Sequence, residues 1–281
     1  YMQNGALSDE KFMPMVFGYD HIYAQLSRHD DYLNVKQPDV VQFHEKYYNS
    51  QNAFLMVVGN ITPEVKQIVI SIANQSVNKG VAANLPNCEL TSQPGQRTVV
   101  SNPYSQQATV TLGIASISKG HSDYIPLKIA VTLLGGFFGS RLMQNIREKS
   151  GYTYGIYASL VAYQQSGLLK ISSDVKGDKA FEVEQLILEN IRELQTAKVT
   201  TAELDRLKNF INGDLLNSFD GLFALDTAFL STYMYGLGLD YYADFSKIVN
   251  NYTPEVLLDM MNKYFSIENL STVIVVPQAD L

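Results

Sequence analysis

Any chemistry in this 281-residue chain must come from a short set of reactive side chains. There are four histidines, His21, His29, His44 and His121. A zinc helix needs two imidazoles one turn apart, so that both face the metal, with a glutamate as base. No histidine here has another three or four residues away. His44-Glu45 comes nearest and stands alone, as an ordinary helix histidine. His21 and His29 are eight apart, and the run Arg28-His29-Asp30-Asp31 favours water. His121 lies in the turn Lys119-Gly120-His121-Ser122. The single cysteine, Cys88, excludes an internal disulfide framework and a CxxC metal site, and no histidine lies near it. There is no Gly-x-Ser-x-Gly elbow. Gly135-Gly136-Phe137-Phe138-Gly139-Ser140 lacks the lysine of a Walker loop and the spacing of a dinucleotide loop, and reads as a tight turn between helices. Arg147 and Tyr154 stand seven apart. Taken alone, they read as a surface helix residue and a core strand aromatic.

Bulk charge narrows the partners. Lys plus Arg total 21 and Asp plus Glu total 28, a net charge of -7 that disfavours a nucleic-acid backbone. Apolar residues at 46% and charged residues at 17% allow a sizeable core, spread over one to two domains. The longest strongly apolar stretch, Ile125 to Gly139, contains Lys128 and falls short of the roughly 18–20 residues of a membrane helix.

The elements that must position any site repeat along the chain. Gln37-Pro38-Asp39-Val40-Val41 matches Thr253-Pro254-Glu255-Val256-Leu257, each a helix start with Pro in the first turn followed by an acid. Lys46-Tyr47-Tyr48 matches Lys263-Tyr264-Phe265, and Gln51-Asn52 matches Glu268-Asn269. Each copy then closes on an apolar strand, 53–58 and 271–276. Upstream, Asn4-Gly5 falls opposite Asp220-Gly221, and Phe17 and Tyr19 opposite Tyr233 and Tyr235. A constant offset over more than fifty residues indicates duplication. It places the start of the first copy before Tyr1. The expected domains are a remnant of the first half at 1–80, a linker at 81–96 and a second half at 97–281. The remnant, with an unfinished sheet, is expected to seek a partner strand.

Coarse patterning predicts helix over 9–28 and 38–48, strand over 53–59, and helix from 63 to about 73. Asn, Gly, Pro, Ser and Gln dominate 76–96. Strands are predicted at 97–101 and 107–117, the second with Ala108, Val110, Leu112 and Ile114 on one face. Helix follows at 123–134, then a break at the glycines, then helix 141–149 capped by Ser140. A hairpin joins 152–163 to 168–175. Helices follow at 178–196 and 201–218, the latter with Thr200 as cap and Glu203 as its reciprocal partner. Further helix fills 220–264 before the last strand. The expected fold class is α+β: two homologous half-domains, the first truncated, with helices packed on a mostly antiparallel sheet.

The run Leu133-Leu134-Gly135-Gly136-Phe137-Phe138-Gly139-Ser140-Arg141-Leu142-Met143-Gln144-Asn145-Ile146-Arg147-Glu148-Lys149-Ser150-Gly151-Tyr152-Thr153-Tyr154 resembles the second-half signature of the pitrilysin/insulinase-type zinc metallopeptidases, which include the mitochondrial processing peptidases. That pattern is a Gly-rich turn, Ser-Arg-Leu, a short helix with Arg-Glu, and Gly-x-x-Tyr at a strand start. The segment from Lys46 to Asn60 is similar to the end of that family's first half. The resemblance implies a clamshell of two halves around a peptide. It implies a zinc site, HxxEH plus a distant Glu, on the first half, and an Arg and a Tyr reaching substrate from the second. Arg147 and Tyr154 match that substrate-binding pair. Arg141 is expected to buttress the turn, and Tyr152 to pack.

The chain departs from the working enzyme. HxxEH is missing, and the second-copy counterpart of the zinc helix, Tyr124-Ile125-Pro126-Leu127-Lys128-Ile129-Ala130-Val131-Thr132-Leu133, has neither His nor Glu. By the resemblance, zinc belongs to the full-length enzyme and none to this chain, which is expected to be inactive alone. The expected function is the C-terminal portion of a zinc metalloendopeptidase, supplying the substrate-binding half of the chamber. There a zinc-bound water attacks an extended peptide that pairs as an added strand. The alternative is a non-catalytic partner subunit that binds peptide beside a separate zinc-bearing subunit. Expected partners are peptide, the N-terminal zinc half or a homologous zinc-bearing subunit, and a second copy of the chain as a homodimer.

Overall fold

Among the described residues, five strands build one sheet: β1 (Arg97–Ser101), β2 (Gln107–Ser116), β3 (Thr153–Ala162), β4 (Gly167–Lys176) and β5 (Ser271–Val276). The structure is a computed structural model, and it describes residues 3–76, 80–84, 86 and 89–277. The strand order is β1-β5-β2-β4-β3. Only β1 and β5 run parallel; the other pairs are antiparallel. The expected α+β class with a mostly antiparallel sheet is what the chain forms.

Period-2 patterning sets the two faces. Ala108, Val110, Leu112, Ile274 and Val276 enter the main core, together with Leu127, Leu133, Leu142, Ile146, Ile156, Ile187 and Ile191. The helices on that face are α5 (Tyr124–Val131), α6 (Ala180–Thr196) and α10 (Pro254–Tyr264). Val273 and Val275, one step out of phase in β5, face a second cluster with Phe12, Met15, Val16 and Phe17 of α1 (Asn4–Phe17). Thr111 on that face accepts from the Ser8 hydroxyl at 2.8 Å. The remaining helices are α2 (His29–Asn34), α3 (Gln37–Tyr47), α4 (Pro63–Ser76), α7 (Thr201–Asn217), α8 (Leu222–Tyr233) and α9 (Asp240–Asn251).

The predicted helix over 9–28 is shorter and starts earlier. Gly18, at φ 101°, stops α1 in a conformation that side chains disfavour, and a 3₁₀ turn at Ile22–Ala24 precedes α2. The predicted strand 53–59 forms no strand, and Phe54, Leu55, Val57 and Val58 are exposed. Its repeat counterpart, β5, is buried along its whole length between β1 and β2. An apolar run becomes a strand only where neighbours take its backbone groups, and among the described residues 53–58 has no ladder. The Pro-acid helix starts hold: Asp39 accepts from the Lys36 amide at 2.9 Å, and Thr253 from the Val256 amide at 3.4 Å.

The chain forms two compact units, and one boundary between them, at 88/89, falls within the expected linker 81–96. One comprises Tyr1–Gln25, Glu89–Asn217 and Ser231–Leu281; the other comprises Leu26–Cys88 and Ser218–Leu230. α1 therefore belongs to the sheet-bearing unit, because its apolar face covers Val273 and Val275. Most of α8, its counterpart in the repeat, falls in the other unit. In the first unit the described linker residues tie to the end of α1: Thr91 N–H donates to Phe17 O at 3.3 Å and Ser92 Oγ to Val16 O at 2.7 Å. In the second, Asn49 is buried and its amide donates to Lys46 O at 2.9 Å. Cys88 lies outside the described residues.

Candidate functional site: a bulged strand end against a π-helical turn

The glycine-rich segment is a mould rather than a ligand loop. After α5 the chain continues as a π-helical turn, Thr132–Gly136, in which Gly135 leaves helical geometry at φ -157°, ψ 15°. A Cβ on Gly135 would lie 2.5 Å from Ala158 N and 2.7 Å from Ala158 Cβ. Only a glycine lets this turn run against β3. Ser140 was expected to cap the next helix. Its hydroxyl is instead buried with no hydrogen-bond partner among the described residues, and the Gln144 amide donates to its carbonyl at 3.0 Å.

Met143–Lys149 then winds as a second π-helical segment, a geometry enriched at functional sites. Met143 and Ile146 are buried, while Arg147 keeps about a third of its side chain exposed (32%). Three contacts fix Arg147. Its Nε donates to Tyr154 O at 3.0 Å, its Nη1 pairs with Glu148 Oε1, and its guanidinium lies 4.7 Å from the Phe138 ring centroid. Arg147 and Tyr154, predicted as a pair, are thus joined by a direct bond.

Tyr154 is 90% exposed. By strand parity it should share the buried face of Ile156 and Ala158. It does not, because the β3–β4 register slips between Thr153 and Gly155: Thr153 lies opposite Val175 and Gly155 opposite Asp174. Tyr154 is the extra residue of a β-bulge, which re-aims its side chain. A core strand aromatic is therefore excluded. The strand starts from Gly151, whose φ of 64° turns the chain out of the π-helical segment.

The outer edge of β3 is already engaged toward both of its ends. Ile156 N–H points at Met143 Sδ at 3.5 Å, and Ala162 O accepts from Tyr235 OH at 2.8 Å. With Arg147 on Tyr154 O, the edge is blunted against an added strand. What this surface presents is side chains: the hydroxyl of the exposed Tyr154 and the part-exposed Arg147 fork. Both are donors, suited to peptide carbonyls and to an oxygen gaining negative charge.

Arg141 ties the start of the second π-helical segment to carboxylates of α6 and α7. Its Nη2 donates to Glu203 Oε2 at 2.9 Å, its Nε to Glu203 Oε1, and its Nη1 to Glu193 at 3.3 Å. The hydrogen bond to Glu203 raises the Arg141 pKa further. This overturns the reciprocal capping box. Thr200 does cap α7, accepting from the Glu203 amide at 3.2 Å, but the Glu203 carboxylate goes to Arg141. Tyr152 packs beside the core and bonds Glu182 at 2.7 Å, which raises its pKa. Phe138, under Arg147, is the site residue that sequence reasoning missed. The pair of aromatics between the glycines was the available signal.

The histidines do other work. His21 stacks on Phe17 with centroids 5.2 Å apart, and its Nδ1 accepts from Tyr23 N. His44 stacks on Tyr48 at 4.7 Å. His121 Nδ1 accepts from Asp123 N. Among the described residues, no three His, Cys, Asp or Glu side chains converge to hold a metal ion, so the donor set does not fit zinc. No described helix is long and apolar enough to cross a membrane. A cavity of about 420 Å³ lies beside Lys119, His121 and Tyr241. Lys119 caps the end of α8 through Ser231 O at 2.7 Å and lies against the Tyr241 ring at 5.0 Å. Burial, then the nearby Lys128 charge, lowers its pKa to about 8.

Known proteins share this fold. The family described as Peptidase M16 inactive domain matches residues 34–211. A zinc protease of Bacillus subtilis (strain 168), YmxG, is 27% identical over 179 residues, 64% of this chain and 43% of the relative. The zinc protease PqqE of Helicobacter pylori (strain ATCC 700392 / 26695) is 25% identical over 254 residues, 88% of this chain and 56% of the relative. The chain spans about half the length of these two relatives. Among solved structures, a peptidase M16 inactive domain from Pseudomonas fluorescens superposes with TM-score 0.88 at 24% identity, covering 99% of this chain and 66% of that one. A protease from Helicobacter pylori gives 0.85 at 20% identity, covering 95% and 65%. The resemblance carried by residues 133–154 is borne out, and the chain belongs to the peptidase M16 family, as an inactive domain of zinc-protease-like proteins.

Proposed function

We propose that this chain is the substrate-holding part of a metalloendopeptidase whose zinc-bearing half is a separate segment or subunit. Arg147 and Tyr154 are the pair that grips the peptide. One observation carries this reading: a tyrosine 90% exposed at a strand end, tied through its own carbonyl to an arginine whose fork still reaches solvent. Exposure alone is ordinary for a surface aromatic; the tie to Arg147, which holds a second donor beside Tyr154, is what suits the pair to a ligand. Tyr154 donates to a peptide carbonyl oxygen and holds it as negative charge develops there. Arg147 donates to a neighbouring carbonyl and fixes the register of the peptide. The names of the relatives support zinc in the whole protein; this chain's own part is to bind and orient.

The test is fluorescence anisotropy with a fluorescein-labelled casein peptide titrated with the chain, unmodified and as Arg147→Ala or Tyr154→Phe. Each variant removes one or two hydrogen bonds, so affinity should fall about 3- to 10-fold. Saturable binding that both variants leave unchanged would reject the assignment of this pair.

A further inference from the structure

We propose that Thr153 and Ser173 are positioning residues whose paired hydroxyls hold the β3 bulge and thereby keep Tyr154 pointing out of the fold. The proposal rests on the reading of Tyr154 as a substrate contact only for its functional consequence; the geometry stands apart from it.

A bulge has a cost. The extra residue interrupts the regular ladder and bends the strand, so the backbone beside it is held less firmly than in plain pairing. Here the groups beside the slip are the Gly155 N–H, the Gly155 carbonyl and the Asp174 carbonyl. Two side-chain hydroxyls serve all three. Gly155 N–H donates to Thr153 Oγ1 at 3.0 Å. The Thr153 hydroxyl lies 2.5 Å from Asp174 O and 2.9 Å from Gly155 O, and the Ser173 hydroxyl lies 2.9 Å from Gly155 O. The two hydroxyls are 2.9 Å apart. The Thr153 hydroxyl donates to a carbonyl while its lone pair takes the amide, and the single Ser173 hydrogen serves either Gly155 O or Thr153 Oγ1.

The alternative register is plain. If the clasp is lost, Tyr154 can pair opposite Val175 and regain the parity of Ile156 and Ala158, both buried. The tyrosine would then turn toward the core face, and its carbonyl would leave the Arg147 Nε. Ser173 is 4% exposed and lies opposite Ile156, so its hydroxyl sits where an apolar side chain would otherwise pack. A buried polar group at that site is explained by its partners at the bulge.

The experiment uses thiol labelling of Tyr154→Cys in a Cys88→Ser background, with and without Thr153→Val and Ser173→Ala, singly and together. Circular dichroism and urea unfolding establish which variants are folded. In the double variant the labelling rate should fall at least about tenfold, because a turned-in thiol reacts only through local opening. Thr153→Ser, which keeps the hydroxyl, should label at the parent rate. A folded double variant that labels within about twofold of the parent overturns the proposal, and so does a Thr153→Ser that behaves like Thr153→Val. The casein peptide is titrated in parallel against Thr153→Val/Ser173→Ala with Tyr154 intact. Slowed labelling with weakened peptide binding supports both statements. Slowed labelling with unchanged peptide binding supports the clasp and rejects Tyr154 as the substrate contact.

Discussion

Gly135→Ala tests the link between the glycine-rich turn and the strand that carries Tyr154. An added methyl would sit 2.5 Å from Ala158 N, 2.7 Å from its Cβ and 3.2 Å from its Cα. Relaxed contacts need roughly 3.5 Å, so the shortfall is close to an ångström against a strand backbone hydrogen-bonded to β4. The atoms struck are mostly main chain, so no rotamer change relieves the clash. Overpacking costs typically about 1–3 kcal/mol, and a rigid strand puts this site at the upper end, about 3 kcal/mol. Gly120 is the control: a Cβ added there would meet nothing within 4 Å. Gly120→Ala should stay within about 0.5 kcal/mol of the parent. Urea unfolding followed by circular dichroism measures both. The Gly135→Ala midpoint should drop with an unchanged slope, and casein-peptide affinity should fall with it, since Arg147 and β3 are set by the same turn. A Gly135→Ala protein as stable as Gly120→Ala would refute the idea that the turn presses on β3.

Other outcomes follow from the same geometry. Tyr154→Ala should leave stability within about 0.5 kcal/mol, because the side chain is almost wholly exposed. Thermal unfolding checks this, and a larger loss would mean that the ring packs. Arg97 grips the buried Glu184 through two bonds of 2.9 Å. Arg97→Ala strands that carboxylate and should cost about 3 kcal/mol, whereas Arg97→Ala/Glu184→Leu should recover most of it; equal losses in the single and double variants would refute this. Lys119 titrates near 8 in the folded chain and near 10.5 when free. The unfolded state binds more protons between those values, so this lysine's contribution to stability rises with pH across that window. Urea unfolding at several pH values should show the difference between parent and Lys119→Met shifting in favour of the parent as pH climbs from about 8 to about 10. A constant difference would rule out the lowered pKa.

The residue order alone specified a good deal. Alternation in Ala108, Val110, Leu112 and Ile114 fixed β2 and its buried face. Pro38-Asp39 and Pro254-Glu255 fixed two helix starts, and the family resemblance carried by residues 133–154 singled out Arg147 and Tyr154. These features are local, and period, capping and turn chemistry act within a few residues. What the sequence left undecided depends on atoms far apart in the chain. Residues 53–58 are apolar like β5, yet β5 has neighbours on both sides and, among the described residues, 53–58 has no strand beside it. Glu203 fits a capping box, but Arg141, 62 residues away, takes its carboxylate. Tyr154 has the parity of a core residue, and the bulge against Asp174 turns it out. Strand pairing, ion pairing and register are settled by which distant groups supply partners, so tertiary structure decided that the tyrosine meets solvent rather than the core.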